Sequence, residues 1–400
     1  NPLLITKSKL PLGYASNFFI GLSMAMVGVH TVVAATFNSN QQAVANAFNA
    51  CDSQSTSDIT SPLCIASLSS ENIKSLNPDQ IFAMGSMAAR VNGGKVTQIN
   101  KNYSSRYEAK IGGAAGNEDF SPLSLWWGMD SNFGDRNTTP KITGFGFDNH
   151  NFVSGVDYRV QDNWVVGGLF SYRHNNALFD SGRGETMNDS YTGGLYTTYN
   201  ITDALHIDAS ASYGGFVYET TRNINLIGFG SSVAQGSTSG GQYAFSGGGG
   251  YDFNFQALSI APYVRGEYMN LSIDGFSESG SLAAVQFANQ NIESLVSTMG
   301  IQTSYTLSFP WGILTPQLRG EWHHQYLDGR RNIDTRFTSD PSAQRFTMVS
   351  GVPVRDYFTV GAEVSSLLPG GVSAFLSYET LQGYTDISSH KFMLGTRFEF

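Results

Sequence analysis

The sequence predicts an all-β membrane protein, an antiparallel outer-membrane barrel of about twelve strands with an N-terminal helical segment threading its lumen. Three observations favour this fold. Apolar and polar residues alternate with a period of two from about residue 123 to the C terminus. Charged residues make up only 14% of the 400 residues, whereas glycine (44), phenylalanine (27) and tyrosine (19) are abundant. The connections alternate between short turns and longer polar loops, as in outer-membrane barrels.

The alternation of apolar and polar residues, together with turn residues between the runs, sets the boundaries of the predicted strands. Short turns follow the even-numbered strands, and the longer loops 225–235, 276–287 and 328–353 follow odd-numbered ones. This parity places both ends of the barrel domain, residues 120–400, on the periplasmic side. The predicted strands are 123–133, 144–159, 163–177, 186–200, 204–224, 236–254, 258–275, 288–307, 312–327, 354–368, 371–382 and 386–400.

Polar residues share one face of several predicted strands. A charge on the lipid face costs about 2–4 kcal/mol at mid-bilayer, so these residues are expected inside. A dry core would have to pair that many charges, whereas a hydrated channel can hold them. The predicted lumen-facing polar residues are His206, Asp208, Arg265, Glu267, Arg319, Glu321 and His323.

The N-terminal part divides into three predicted segments. Residues 1–35 resemble a signal peptide, because Lys7 and Lys9 precede an apolar run; a single transmembrane helix is the alternative. Residues 36–84 read as a helical linker. Cys51 and Cys64 are the only cysteines, and we expect a disulfide between them in an oxidising periplasm; two free, buried cysteines are the alternative.

Residues 85–119 are the predicted pore helix and connector. The stretch 95–110 is polar on nearly every side of a helix, which suits either a water-filled pore or a solvated linker.

Catalytic and ligand-binding motifs are missing from the sequence. It has no G-x-S-x-G elbow, phosphate loop or cysteine zinc spacing, so no enzyme activity and no cofactor are expected. His323 and His324 point to opposite faces of a strand and cannot both bind one metal ion. A net charge of −9 argues against nucleic acid as a partner. The five tryptophans, Trp126, Trp127, Trp164, Trp311 and Trp322, fit aromatic girdles at the membrane interfaces; ordinary packed aromatic residues are the alternative for each.

An ordered set of short segments resembles the translocator β-domain of bacterial autotransporters, the type V secretion proteins. The resemblance covers roughly residues 120–400. The segments that carry it are G-V-D-Y-R-V-Q-D-N-W-V-V-G (155–167), Y-T-G-G-L-Y (191–196), P-Y-V-R-G-E-Y (262–268), D-G-F-S-E-S-G (274–280), S-L-V-S-T-M-G-I (294–301), L-T-P-Q-L-R-G-E-W-H-H (314–324) and F-E-F (398–400).

The resemblance implies a monomeric barrel that anchors and exports an N-terminal passenger to the cell surface. Its implied partners are outer-membrane lipid, the barrel assembly machinery and its own passenger. The implied signal for that machinery is the apolar face of the last strand, although Thr396 departs from the usual apolar choice. A passenger-poor surface adhesin or narrow porin, and a barrel enzyme using rim carboxylates, are the alternatives. The signal residues are Phe392, Leu394, Phe398 and Phe400.

Overall fold

The computed structural model describes residues 37–53, 69–84, 122–139, 141–228, 230–340 and 343–400, with side chains of the first range described to Phe48. The signal-peptide-like segment, the predicted pore helix and the Cys51–Cys64 pairing lie outside the described residues. Among the described residues, no helix is long and apolar enough to cross a bilayer.

Twelve long antiparallel strands form a closed barrel, which confirms the predicted twelve-stranded antiparallel barrel. Each strand pairs with the next, and the last pairs with the first from Ser124 opposite Glu399 to Arg136 opposite Ile387. The predicted boundaries differ from these by a few residues at most ends. The strands are β1 (Leu123–Arg136), β2 (Phe145–Gln161), β3 (Trp164–Phe179), β4 (Gly184–Asn200), β5 (Leu205–Leu226), β6 (Gly230–Tyr251), β7 (Leu258–Ile273), β8 (Gln290–Tyr305), β9 (Gly312–Gln325), β10 (Asp356–Leu368), β11 (Val372–Gln382) and β12 (Ile387–Glu399).

The outer wall of the barrel is apolar because alternate side chains of each strand point away from the lumen. Leu195, Tyr213 and Leu318 are 71%, 70% and 66% exposed, whereas Asp208 and Arg319 on the opposite parity are buried. A continuous apolar surface of this size is unfavourable in water and suits a lipid environment.

The two ends of the barrel differ in their connections. One end, here called the turn end, carries the start of β1, the end of β12 and short connections such as 162–163 and 369–371. Gly370 and Gly371 have φ of 80° and 73°, a backbone conformation that glycine adopts without a Cβ clash. The other end, the loop end, carries the longer connections 274–289 and 326–355.

The prediction of a loop over 225–235 is wrong. β5 and β6 remain paired up to Leu226 opposite Gly230, so their connection is only 227–229. The polar residues of this stretch suggested a loop, but a strand beyond the lipid can be polar on both faces. Polarity therefore marks where the strand leaves the membrane and not where it ends.

The two longest loops contain a second, smaller sheet at the loop end. Its four short strands lie in the order Arg345–Val349, Asn332–Phe337, Val285–Phe287 and Phe276–Ser277. We call it the loop-end sheet.

Helices α1 (Ser39–Ser53) and α2 (Ser70–Leu76) contact the loop end. The Asn40 amide donates to the Val349 carbonyl oxygen (3.0 Å) and accepts from the Val349 N–H (2.8 Å), so it pairs with the edge strand of the loop-end sheet. On α2, the Asn72 side-chain oxygen accepts from the Ile227 N–H (2.7 Å) and the Ser75 hydroxyl accepts from the Asn225 N–H (2.8 Å). We call residues 37–48 and 69–84 the cap.

A single apolar core joins the cap, the loop-end sheet and the barrel rim. Each large side chain buried in this way contributes about 1.5–3 kcal/mol, so the burial of these apolar side chains stabilises the cap on the barrel. The cap contributes Val44, Ala47, Phe48, Leu76, Ile81, Phe82 and Met84. The barrel and its loops contribute Ile142, Phe216, Tyr218, Ile224, Ala234, Leu271, Ile273, Phe276, Ala283, Val285, Phe287, Ile333, Phe337, Phe346 and Met348.

Candidate functional site

The inner wall of the barrel carries the polar residues that the strand parity places inside. His206 lies 3.6 Å from the Asp252 carboxylate. Asp208 on β5 and Arg265 on β7 form an ion pair of 3.3 Å. These two residues are not on adjacent strands, because Gly248 of β6 lies opposite both of them. Because Gly248 has no side chain, the Asp208 and Arg265 side chains can reach each other across β6.

The same arrangement recurs on the other side of the lumen. Arg319 on β9 contacts Glu379 on β11, and Gly361 of β10 lies between them. The Tyr263 hydroxyl donates to Glu321, and Gly300 lies between those two. A Cβ at Gly300 would lie 2.3 Å from the Tyr263 ring, so only glycine fits there. We call these contacts glycine-bridged pairs.

His323 and His324 face opposite sides of β9, as the alternation predicts. The His323 ring nitrogens lie 2.9 Å from the Thr298 hydroxyl and 3.1 Å from the Thr359 hydroxyl inside the barrel. His324 lies outside, 2.8 Å from Asp356. Among the described residues, no group of three or more histidine, cysteine, aspartate or glutamate side chains could hold a metal ion.

A cavity of about 990 Å³ runs along the inner faces of β7–β12 and β1. Glu267, which the parity predicts inside, lines this cavity together with Arg265, Arg319, Glu321 and His323. The lining therefore mixes acidic, basic and neutral polar groups, which suits a hydrated space.

At the turn end, a buried cluster occupies the lumen beside the start of β1. The Trp126 indole N–H donates to the Tyr196 hydroxyl (2.8 Å), which donates to Asp157, and Arg397 pairs with the same carboxylate. The girdle prediction is wrong for Trp126, which is 4% exposed and faces inward because it shares the parity of buried Ser124.

Three hydrogen-bonded aromatic residues lie on the outer wall near the loop end, on β3, β7 and β9. The Tyr172 hydroxyl donates to Asp189 (2.7 Å), the Tyr268 hydroxyl to Glu293 (2.9 Å) and the Trp322 indole to Asp356 (3.1 Å). Each aromatic ring lies on the apolar side of its acidic partner. These three residues have the arrangement expected of an aromatic girdle at a membrane interface.

A buried ion pair between β5 and the loop 274–289 supports the cap. The Arg222 guanidinium contacts the Glu278 carboxylate at 2.5 Å, and both side chains are 2% exposed. Arg222 also donates to the Ala283 carbonyl oxygen (2.7 Å) and the Leu76 carbonyl oxygen (3.4 Å). Arg222 therefore joins the barrel, a loop and the end of α2.

A second polar contact holds the turn after α2. The Asp79 carboxylate accepts from the Thr143 N–H (2.9 Å) and lies 3.5 Å from Arg183. Arg183 also donates to the Asn77 carbonyl oxygen (2.8 Å). Burial raises the pKa of Asp79 and lowers the pKa of Arg183, and each partner's charge opposes the shift. Sequence reasoning missed these residues, because single charges far apart in the chain form no motif.

The four residues of the predicted assembly signal lie on the outer wall. Phe392, Leu394, Phe398 and Phe400 are all exposed. The Phe392 ring stacks on Phe133 of β1 with 5.8 Å between centroids, beside the seam that closes the barrel.

Comparison with known proteins identifies relatives of this barrel. The family model described as Autotransporter beta-domain matches residues 125–379. The chain is 25% identical over 282 residues to "Esterase EstA" of Pseudomonas aeruginosa, an alignment that covers 67% of this chain and 42% of that protein. It is 26% identical over 267 residues to "Lipase 1" of Photorhabdus luminescens, covering 64% of this chain and 39% of that protein. The chain thus spans about two-fifths of the length of these relatives.

Two solved structures share the fold. The translocator domain of the autotransporter NalP from Neisseria meningitidis superposes with a TM-score of 0.56 at 16% identity, covering 77% of this chain and 98% of that one. The beta domain of the Bordetella autotransporter BrkA has a TM-score of 0.50 at 17% identity and covers 70% of this chain and 100% of that one.

Proposed function

Because the chain belongs to the autotransporter β-domain family, we propose that this outer-membrane barrel carries its own N-terminal segment to the cell surface and retains the cap there. In such barrels the short turns face the periplasm and the longer loops face outward. The cap thus lies on the extracellular side of the barrel.

One observation supports this proposal more than any other. Met84 lies at the loop end, where its carbonyl oxygen accepts from the Tyr218 hydroxyl (2.7 Å). Pro122 lies at the turn end, where its carbonyl oxygen accepts from the Arg159 N–H (2.8 Å). Residues 85–121 therefore connect opposite ends of the barrel. If the cap lies outside the cell and β1 begins on the periplasmic side, the chain must cross the membrane between Met84 and Pro122.

We propose that residues 85–119 cross through the lumen and act as the plug, with residues 1–35 removed as a signal. The polar stretch 95–110 suits the charged inner wall, whereas the apolar outer wall would exclude it. Outer-membrane lipid then contacts the exposed apolar wall. The barrel assembly machinery reads the outward face that ends at Phe400.

Conductance in planar bilayers tests the plug. The full chain is expected to conduct weakly, and the chain lacking residues 85–115 is expected to open a stable pore, because the lumen would then be filled with water. Deleting residues 54–68, which leaves the segment 85–121 intact, is the matched control and is expected to leave the conductance low. Equal conductance of all three chains would show that the segment is not in the lumen.

The barrel itself is proposed to catalyse no reaction. His323 lies between two threonine hydroxyls and His324 lies on the other face, so they do not form a joint site. The relatives named esterase and lipase raise a second candidate, in which this barrel exports a hydrolase. Cells producing the protein would then cleave a chromogenic ester, and cells producing residues 122–400 alone would not.

A further inference from the structure

An arginine at the loop end of the lumen, Arg331, is half-buried, and none of the described residues is an acidic partner for it. Arg331 is fixed by two backbone contacts with Ser350, since its N–H donates to the Ser350 hydroxyl (2.8 Å) and its carbonyl oxygen accepts from the Ser350 N–H (2.9 Å). Its Nη2 donates to the Phe82 carbonyl oxygen (3.0 Å). Its Nη1 is buried and has no hydrogen-bond partner in the part of the chain that the structure describes.

Among the described residues, nothing neutralises the charge of Arg331. Within the described ranges no aspartate or glutamate pairs with it, and Arg136 is a nearby like charge. Burial lowers the pKa of Arg331 to about 10, which still leaves the side chain protonated at neutral pH. A guanidinium that is partly removed from water and has no counter-ion is unfavourable, so the site favours a bound anion.

The buried side chain of Gln290 also lacks a hydrogen-bond partner among the described residues. It is 6% exposed, and neither atom of its amide group has a hydrogen-bond partner among the described residues. The Ala288 N–H donates to the Asp334 carbonyl oxygen (2.9 Å), which holds the chain before Gln290 against the strand that follows Arg331. Gln290, Arg331, Arg136 and Arg330 line the same cavity of about 990 Å³.

We propose that Arg331 and Gln290 form a binding site for a small oxyanion at the loop end of the lumen cavity. A guanidinium donates two N–H bonds to an oxyanion in a fork geometry, and the glutamine amide adds one further donor. Arg136 and Arg330 contribute positive potential. Among the acidic residues that line the cavity, Glu321 and Glu379 lie deeper and are paired with Arg319, and Glu293 accepts from the Tyr268 hydroxyl. Glu267 and Asp386 also line the cavity. This site does not depend on passenger export.

Binding of inorganic phosphate to the full chain in detergent micelles tests the site. Titration calorimetry gives the Kd, and the unfolding temperature is compared in phosphate and in chloride at equal ionic strength. Arg331→Gln removes the charge. Arg345→Gln is the matched control, because Arg345 is exposed on the loop-end sheet and does not line the cavity. Gln290→Glu places a carboxylate where the anion would bind.

Phosphate is expected to raise the unfolding temperature of the unaltered chain and of Arg345→Gln. Its affinity is expected to fall at least about tenfold in Arg331→Gln and in Gln290→Glu. Gln290→Glu is also expected to unfold no earlier than the unaltered chain in chloride, because its carboxylate neutralises Arg331. If Arg331→Gln does not fold, the phosphate affinity of Gln290→Glu tests the proposed site. Unchanged phosphate affinity in Gln290→Glu, or no phosphate binding by the unaltered chain, would overturn the proposal.

Discussion

Single glycines on the inner wall decide which charges can pair. Neighbouring strands are about 4.8 Å apart, so residues two strands apart need long side chains and free space between them. Gly248 provides that space for Asp208 and Arg265, and Gly361 provides it for Arg319 and Glu379. The strand parity predicted that Asp208, Arg265 and Arg319 face the lumen, and it gave no prediction for Glu379. It could not predict their partners, because pairing across a strand depends on a register that only the closed barrel fixes.

Gly361→Leu tests the role of the glycine-bridged pairs. The new side chain would lie between Arg319 and Glu379, where a Cβ already approaches Glu379 to 3.2 Å. We expect a loss of about 1–3 kcal/mol in unfolding free energy, because the pair must open and the wall is overpacked. Gly320→Leu on the neighbouring strand is the control, since a Cβ there meets nothing within 4 Å. Equal stability of the two variants in urea would contradict this role.

The C-terminal residue gives a second prediction at this scale. Deleting Phe400 is expected to reduce the amount of barrel in the outer membrane several-fold, because the proposed assembly signal ends on this exposed ring. Quantitative blotting of outer-membrane fractions measures the effect. Phe255→Ala is the control, since Phe255 is 58% exposed at the same end of the barrel but lies outside the last strand. Normal levels without Phe400 would remove it from the signal.

Among the elements, the cap differs most from what the sequence predicts. Sequence periodicity indicated helices in residues 36–84, and α1 and α2 lie within that range. It did not indicate their contacts, because Val44, Phe48 and Leu76 complete a core whose other residues lie in distant loops. The loops 276–287 and 328–353 were predicted only by their polarity. Their short strands are two to six residues long and pair with each other, so no local alternation reveals them.

Glu278→Gln tests how the cap is held. Removing one charge of a buried pair leaves Arg222 without its counter-ion and is expected to cost about 3–5 kcal/mol. Limited proteolysis of the purified barrel should then cleave the cap much faster, while β1–β12 stay resistant. Glu71→Gln on α2 is the control, because the Glu71–Lys74 pair is exposed and contributes little. A cap equally resistant in both variants would show that Arg222 and Glu278 do not hold it.

At the scale of the whole molecule, the barrel and its cap form two different kinds of interior. The lumen is polar and carries ion pairs, and a cavity of about 990 Å³ lies along its inner wall. The cap encloses a dry apolar core at the loop end. The sequence predicts the first from strand parity alone, since a period of two separates lipid from lumen at every strand. The sequence does not predict the apolar core under the cap, because that core is assembled from α1, α2 and four short strands and follows no regular sequence spacing.

We propose that the cap lies at the cell surface while the turn end faces the periplasm. An epitope inserted within residues 54–68 is expected to bind antibody on intact cells. The same epitope inserted between Thr202 and Asp203, in the turn-end connection 201–204, is expected to bind antibody only after the outer membrane is permeabilised. Binding at the turn-end epitope on intact cells, with the cap epitope hidden until permeabilisation, would contradict the account.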